Sequence, residues 1–490
     1  MAPATIAAAK AADAYGMLKG HGVDQCDAEQ AYIQAKLKGD PTWVRIPREE
    51  WPEAWIKKGY VDPVCPLEQA LYGHPASGAY WEKHCEKGLR EVGFKPLADE
   101  WPSCYWHESL KLFLIVYVDD FKLAGPHAAR KRGWELIKSK IRAEDPKSAA
   151  RFLGCEHTIL TAESDGGPFK PTGVNTHPIP KKGARIIRYE MTNFMKQCVT
   201  VYLNAASATE KSLRAAATPF LEQTQKLLEE DEEGTGALQV HAASVLMKIL
   251  YGARYMRWDM LKVVGDLAAR ITKWSLACDR KLLRLISYIH GTPDMQLVGW
   301  INDDPKDLRL DLYADADFAG DKKTMKSTSG CIIALTGPNT YMPLSAFSNR
   351  QTAVSHSTPE AEIVAADAAM RKEGLPFLQI WDVLLDRKTI LTLYEDNSAC
   401  LQILKTGKNP TLRHVQRTHH VSVKFLHERF YPEDPGVEHP QHKIRAVESE
   451  KQFADLFTKA FTKPLEWARV TANVGLRMPI SRTRVAAGGG

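Results

Sequence analysis

No run of 18 apolar residues occurs anywhere in the chain, which excludes a helix of membrane-spanning length. The nine cysteines (Cys26, Cys65, Cys85, Cys104, Cys155, Cys198, Cys278, Cys331 and Cys400) are scattered, and none forms a C-x-x-C pair. That excludes a zinc-finger spacing and a disulfide framework, and it points to a reducing compartment. The Ala-rich start MAPATIAAAKAADAYGML lacks the basic end, long apolar core and small-residue cleavage site of a signal peptide, so it reads as a helix. There is no repeat of fixed period and no long block of basic charge. The net charge of +6 and pI near 8.6 permit nucleic acid as a partner without requiring it. What is present is 490 residues that are 44% hydrophobic and 25% charged, the balance of a soluble globular protein of roughly three domains.

Residues 21–160 alternate strand-like and helix-like pieces. Ala79–Gly93 has helical spacing, with Tyr80, His84, Leu89 and Val92 offering a buried stripe and Gly93 a stop. Arg130–Ile141 reads as a further helix. Residues 165–183 hold four Pro and four Gly and read as a linker. A helical stretch follows from Met191 to Ile289, broken by the acidic run 229–236, which reads as a solvated loop. From residue 308 strands return: LRLDLYADADF, SGCIIALTG and PLSAFS. A helix then starts at Ser357–Glu360, with Thr358 as cap and Pro359 at its first position. The βββαβα order predicts an α/β domain. Residues 417–430 read as a basic helix, residues 449–462 as another helix, and the chain after 465 as a disordered tail.

Two acidic constellations carry chemistry. In KLFLIVYVDDFKLA, Asp119 and Asp120 sit between two apolar strand-like runs. Strands disfavour Asp, and adjacent carboxylates repel, so the pair suits either an acidic hairpin turn or a divalent-cation site. The tetrapeptide alone leaves both open. In the C-terminal third, Asp315 and Asp317 share a strand face, Glu360 and Glu362 open a helix, Asp396 ends a strand, and Asp455 lies in KQFADLFTK. Taken singly, each suits a surface position or a helix dipole. Together they suit a nuclease in which two cations about 4 Å apart are clamped by carboxylates from several elements.

Residues 305–462 resemble the RNase H domain of copia-type retrotransposon polyproteins. The match runs through YADADFAGD (313–321), STSGCI (327–332), STPEAEIVA (357–365), YEDNSAC (394–400), RTHHVSVKFLHE (417–428) and FADLFTKAF (453–461), in order. The resemblance implies Asp315, Glu362, Asp396 and Asp455 as catalytic metal ligands, with Asp317 a neighbour. It gives His420 a packing or hybrid-contact role and makes Arg413, His414, Arg417 and Lys424 backbone contacts. Upstream, VDQCDAEQAYIQAKL (23–37), VCPLEQALYGHPASGAYWEKH (64–84) and LIVYVDDFKLAG resemble the matching reverse transcriptase. By that resemblance Asp27, Asp119 and Asp120 hold the metals and Tyr32 packs under the incoming sugar. Tyr117 contacts nucleic acid, and RFLGCEHTI (151–159) closes the palm. The implied architecture is an α+β palm over 1–164, a linker and helical thumb/connection over 165–304, an RNase H-like domain over 305–464 and a basic tail over 465–490.

The implied activity is RNA-directed DNA synthesis with hydrolysis of RNA in RNA/DNA hybrids, using two Mg2+ per site, with Mn2+ as a substitute. Implied partners are an RNA template, a DNA primer, the hybrid and deoxynucleoside triphosphates, with no membrane; the implied location is a cytoplasmic retroelement particle or the nucleus. Three departures fall on the polymerase half. Only about 26 residues precede Asp27, so most of the fingers is expected to be absent or supplied by a separate chain. His74-Pro75-Ala76-Ser77 replaces the usual L-K-Q-S, and Leu67-Glu68-Gln69 replaces L-K-K, which weakens phosphate contacts. Two alternatives stay open: an RNase H nuclease with a dead polymerase, and a non-catalytic nucleic-acid-binding relic.

Overall fold

The computed structural model describes residues 3–167, 179–232, 234–408, 412, 414–432 and 437–479. Arg413, most of the expected linker and the end of the expected tail lie outside them. The chain forms two compact units, Met1–Ala149 and Ala150–Gly490. Both combine helices with sheets, so the protein is of the α/β class. No described helix is long and apolar enough to cross a membrane.

The first unit begins with α1 (Ile6–Gly16), where the Thr5 hydroxyl caps the helix by accepting from the Ala8 N–H at 3.1 Å. β1 (His21–Asp27) follows, then a ribbon of β2 (Trp43–Arg45) and β3 (Val64–Pro66) with α2 (Glu53–Lys57) between them. After α3 (Ser77–Glu91) come β4 (Lys95–Pro96), β5 (Cys104–His107), β6 (Leu112–Tyr117), β7 (Asp120–Pro126), α4 (His127–Lys138) and β8 (Lys147–Ser148). The sheet is antiparallel in the order β4-β5-β6-β7-β1-β8. Leu114, Val116, Phe121 and Leu123 of the β6–β7 hairpin pack on Trp81, Cys85 and Leu89 of α3 and on Trp134 and Ile137 of α4. The buried stripe of α3 is therefore 77, 81, 85 and 89. Of the expected stripe only Leu89 belongs to it; Tyr80, His84 and Val92 sit at its margin, because the large Trp81 ring takes the centre.

The second unit opens with β9 (Arg151–Phe152), β10 (Cys155–Thr161) and β11 (Arg185–Glu190). The helices α5 (Thr192–Ala205), α6 (Gln225–Glu232), α7 (Gln239–Tyr255), α8 (Leu261–Ala268) and α9 (Leu276–Gly291) lead to β12 (Gln296–Ile301). Then come β13 (Arg309–Asp321), β14 (Lys326–Gly337), β15 (Thr340–Arg350), α10 (Thr358–Ala369), α11 (Leu375–Leu384), β16 (Leu391–Glu395) and α12 (Ser398–Thr406). The last elements are α13 (Val415–Thr418), α14 (Val423–Phe430), β17 (His442–Ala446), α15 (Pro464–Asn473) and β18 (Leu476–Arg477). One mixed sheet runs β17-β16-β13-β14-β15-β12-β11-β10-β9, with β18 paired to β12. β16 is parallel to both β13 and β17. The βββαβα order is met by β13-β14-β15-α10-β16-α12, with α11 as an additional helix between α10 and β16.

Several expectations are corrected. The segment 151–159 does not close the first sheet: β10 pairs with β11 along six residues of the second unit, so the units part at Ala149/Ala150. The first half of the run 229–236 is not a loop: residues 229–232 end α6, and Asp231 is ion-paired to Arg270 at 2.7 Å and Lys323 at 2.9 Å, while 234 and 235 are exposed and non-helical as expected. The cap of α10 is Ser357, one residue before Thr358, and its hydroxyl accepts from the Glu360 N–H. The basic stretch 417–430 breaks at His420, whose φ is +57°, between α13 and α14. Residues 449–462 make two short 3-10 turns, Ser449–Lys451 and Phe453–Phe457, because Gln452 between them turns its side chain back to accept from the Ala454 N–H. The start of the tail is α15, anchored by buried Trp467 and Val470.

Candidate cation-binding active sites

In the first unit, β1 ends on Asp27 and β7 begins on Asp120, and the antiparallel register sets these two residues opposite each other. The β6–β7 turn is only two residues long, Val118 and Asp119. Val118 has φ +58°, a left-handed conformation that a β-branched residue rarely adopts. It is held there by the Trp81 indole N–H, which donates to the Val118 carbonyl at 2.7 Å. The Ala28 N–H donates to the Asp119 carbonyl at 2.8 Å, so the turn is stitched to the end of β1. Burial pushes the Asp120 carboxyl up to about 7; the charge of Asp27, a hydrogen bond with it, and the charge of Asp119 add to the rise. Burial and the Asp119 charge also raise the Tyr72 hydroxyl. The Tyr72 ring lies 4.5 Å from that of Tyr32. Tyr117, half-buried, is the last residue of β6 and pairs with Asp120. The hairpin thus brings Asp27, Asp119 and Asp120 into electrostatic contact.

In the second unit the carboxylates come from four separated segments. Asp315 lies in mid-β13, Glu362 in the first turns of α10, Asp396 just past β16, and Asp455 in the turn Phe453–Phe457. They form two groups. Asp315, Asp396 and Asp455 offer oxygens within 4.8 Å of one another, and so do Glu362, Glu395 and Asp396. Asp396 is common to both. Among the described residues these are the groups of three or more ligating side chains close enough to share a cation.

Neighbouring side chains fix the arrangement. The Gln452 amide donates to the Ala314 carbonyl at 3.0 Å and to Asp396 Oδ1 at 3.3 Å, tying the end of β16 to β13. The Thr458 hydroxyl donates to Asp315 Oδ2. The Lys459 ammonium lies 2.6 Å from Asp455 Oδ1 and 3.6 Å from Asp315 Oδ1. Burial pulls Lys459 down, but Asp315 and Asp455 outweigh it and hold the ammonium above its ordinary range. Burial raises all of the following carboxyls. Asp455 is pushed up to about 7, with Asp315 adding to the rise and Lys459 opposing it. Glu362 is pushed up to about 10, with Glu395, Asp315 and Asp396 adding. Glu395 reaches about 8, with the Asn397 N–H opposing and Asp396 and Asp315 adding. Asp315 is raised, with Lys459 and Thr458 opposing.

The donor set fits a divalent cation. Glu362 Oε2 and Glu395 Oε2 are buried carboxyl oxygens that no nitrogen or oxygen donor meets, with the Cys400 thiol beside the Glu395 carboxyl, and carboxylates are the hard ligands Mg2+ prefers. Asp317 stands apart, paired with Lys262 at 3.2 Å and accepting from the Thr328 N–H. Arg417, His420 and Lys424 are exposed on and around α13 and α14, and Lys424 pairs with Glu428 at 3.6 Å. His419, not His420, turns inward and meets Glu360 at 3.1 Å; His414 meets the same carboxylate at 3.3 Å.

Sequence reasoning missed Glu395, Gln452, Thr458 and Lys459. The spacing of four between Asp455 and Lys459 was a readable ion-pair signal. Glu395 was hidden because adjacent strand residues point to opposite faces. Here the strand ends at Glu395 and Asp396 lies beyond it, so both reach one site.

No family model matches the chain. It is similar to the retrovirus-related Pol polyprotein from transposon RE1 of Arabidopsis thaliana, 23% identical over 445 residues, or 90% of this chain and 26% of that protein. The corresponding polyprotein from transposon TNT 1-94 of Nicotiana tabacum is 22% identical over 449 residues, 89% of this chain and 30% of its own length. That from transposon RE2 of Arabidopsis thaliana is 22% identical over 342 residues, 69% of this chain and 20% of its own length. The chain therefore spans between a fifth and a third of the length of these relatives. Two solved structures are also similar. A foamy viral protease-reverse transcriptase in complex with RNA/DNA hybrid is 11% identical, with a TM-score of 0.43 over 92% of this chain and 46% of that one. The same enzyme's dRH form in complex with double-stranded DNA is 10% identical, with a TM-score of 0.40 over 90% and 59%.

Proposed function

Taking this chain as a relative of copia-type retrotransposon Pol polyproteins, we propose that its second unit hydrolyses the RNA strand of RNA/DNA hybrids, and that its first unit is built for RNA-directed DNA synthesis from deoxynucleoside triphosphates. One observation supports the nuclease most: two groups of three carboxylates that share Asp396. Asp315, Glu362, Asp396 and Asp455 would hold Mg2+ or Mn2+. Such cations, when bound, activate a water and stabilise the oxygen that leaves phosphorus. The remaining work falls to the chain itself. Gln452 and Thr458 hold Asp396 and Asp315 in place, and Lys459 offsets the repulsion between Asp315 and Asp455. Arg417, His420 and Lys424 present donors to the hybrid backbone, and the 2′-hydroxyl marks the RNA strand. In the first unit Asp27, Asp119 and Asp120 would hold the cations, with Tyr32 beneath the sugar and Tyr117 beside the nucleic acid.

A second reading, a nuclease whose polymerase is inactive, has a specific observation in its favour. Asp27, Asp119 and Asp120 are not among the groups close enough to share one cation, whereas the carboxylates of the second unit are. Parallel assays of the full chain in Mg2+ for hybrid cleavage and primer extension separate the readings. Asp315→Asn should lower cleavage by about 100-fold or more and leave any extension unchanged. Asp119→Asn should abolish extension and spare cleavage. Extension that survives Asp119→Asn rejects the palm assignment, and cleavage that survives Asp315→Asn rejects the nuclease.

A further inference from the structure

We infer that Glu395 is a fifth carboxylate ligand of the second unit, and that with Glu362 and Asp396 it takes a divalent cation distinct from one held by Asp315, Asp396 and Asp455. The inference rests on the nuclease reading above and extends its ligand set.

Three observations carry it. Glu395 is fully buried at the end of β16; its Oε1 accepts from the Asn397 N–H at 2.9 Å, the weak Cys400 thiol donor also reaches the carboxyl, and no nitrogen or oxygen donor meets its Oε2. A buried carboxyl oxygen without a nitrogen or oxygen donor is met either by a proton or by a cation, and a divalent cation can serve two such groups at once. Glu362, 4% exposed, has an unpartnered Oε2 of its own, and both residues offer oxygens within 4.8 Å of Asp396. The third observation is charge. Lys459 places one positive charge against Asp315 and Asp455, whereas among the described residues neither Glu362 nor Glu395 has an ion pair, so a cation at those two would meet carboxyls that no side-chain cation pairs with. Local backbone geometry permits the arrangement: the chain leaves β16 after Glu395, and Asn397 caps α12 by accepting from the Cys400 N–H at 2.9 Å. The cap turns Asp396 away from strand alternation, so that two consecutive acids serve one site.

The test is Mn2+ binding by calorimetry, with the full chain carrying Asp27→Asn and Asp119→Asn so that the first unit is silent. Two Mn2+ are expected per chain. Glu395→Gln should weaken the second by about tenfold or more and leave the first within about twofold; Asp396→Asn should weaken both. Glu395→Met, similar in volume and uncharged, guards against a folding artefact. It should melt no lower than its parent in EDTA, and should lose most of the rise in melting temperature that Mn2+ gives the parent. Two Mn2+ bound with unchanged affinity by Glu395→Gln, or an undiminished Mn2+-induced rise in Glu395→Met, overturns the inference. If Asp396→Asn still loses both ions in that case, the nuclease site stands without Glu395. If Asp396→Asn and Asp315→Asn also bind as the parent does, the site reading falls with it.

Discussion

Asp396 is the residue on which the second site turns, and it is held by a neighbour rather than by its own strand. Gln452 bonds it and the Ala314 carbonyl with one amide nitrogen. Gln452→Ala should therefore raise the Mg2+ concentration needed for half-maximal hybrid cleavage by about 10- to 100-fold, and it should also lower the melting temperature, because the Ala314 carbonyl and the Ala454 N–H lose their partner. In the first unit the residue of interest is Val118, at φ +58°. Asn tolerates that conformation, so Val118→Asn should stabilise the first unit by about 1 kcal/mol in chemical denaturation. A loss of stability would show that the strain is not there. The acids at 27, 119, 120, 315, 362, 396 and 455 were readable because the type of residue and the order of segments are local facts. Lys459, Gln452 and Thr458 were not, since what places them is contact between segments far apart in the chain. Glu395 was harder still, because strand alternation argues against it.

At the scale of elements, helix α9 is joined to α15 and to the turn before α8 by a buried polar network. Arg257, wholly buried, donates to Asp259 at 3.0 and 2.7 Å and to the Thr292 carbonyl at 2.7 Å. The Tyr288 hydroxyl donates to Asp259 at 2.7 Å and accepts from the Trp467 indole at 3.2 Å. Asp259→Ala leaves the Arg257 charge buried and short of its main partner, so it should cost the second unit about 3–5 kcal/mol in urea unfolding. Removing α15 should cost the same network its Trp467 donor, which is why the stretch beyond 465 is not a tail. Periodicity made the β6–β7 hairpin and the βββαβα order legible. It failed where a side chain competed with the backbone, as at Gln452, and where a partner strand decided membership, as with β10, whose sequence suits either sheet. In the α3 stripe Leu89 was placed correctly, while Tyr80 and His84 each fell one residue before the buried Trp81 and Cys85, because composition does not say which of Tyr80 and Trp81 faces the core.

Across the whole molecule the acidic sites make stability depend on pH and on cations together. Asp120 and Asp455 sit at about 7, Glu395 at about 8 and Glu362 at about 10, all above the ordinary carboxylate range. The folded chain thus keeps protons that the unfolded chain has released. The stability these groups contribute is full below about pH 4 and is lost as pH rises through their folded values. In EDTA, melting temperature should fall between about pH 7 and about pH 9, above the range in which His84, His107, His439 and His442, lowered by burial, add stability as pH rises, and Mg2+ should flatten the decline because a bound cation favours the ionised carboxylates. A melting temperature that rises over this range in EDTA would contradict the burial of these groups. The account as a whole stands on the two carboxylate groups that share Asp396. Its most direct test is the rate at which the full chain, in Mg2+, cleaves the RNA strand of an RNA/DNA hybrid, compared with the Asp396→Asn variant at equal folded concentration. The account expects cleavage by the parent and a loss of about 100-fold or more in the variant; no cleavage by the parent, or equal rates in the two, would contradict it.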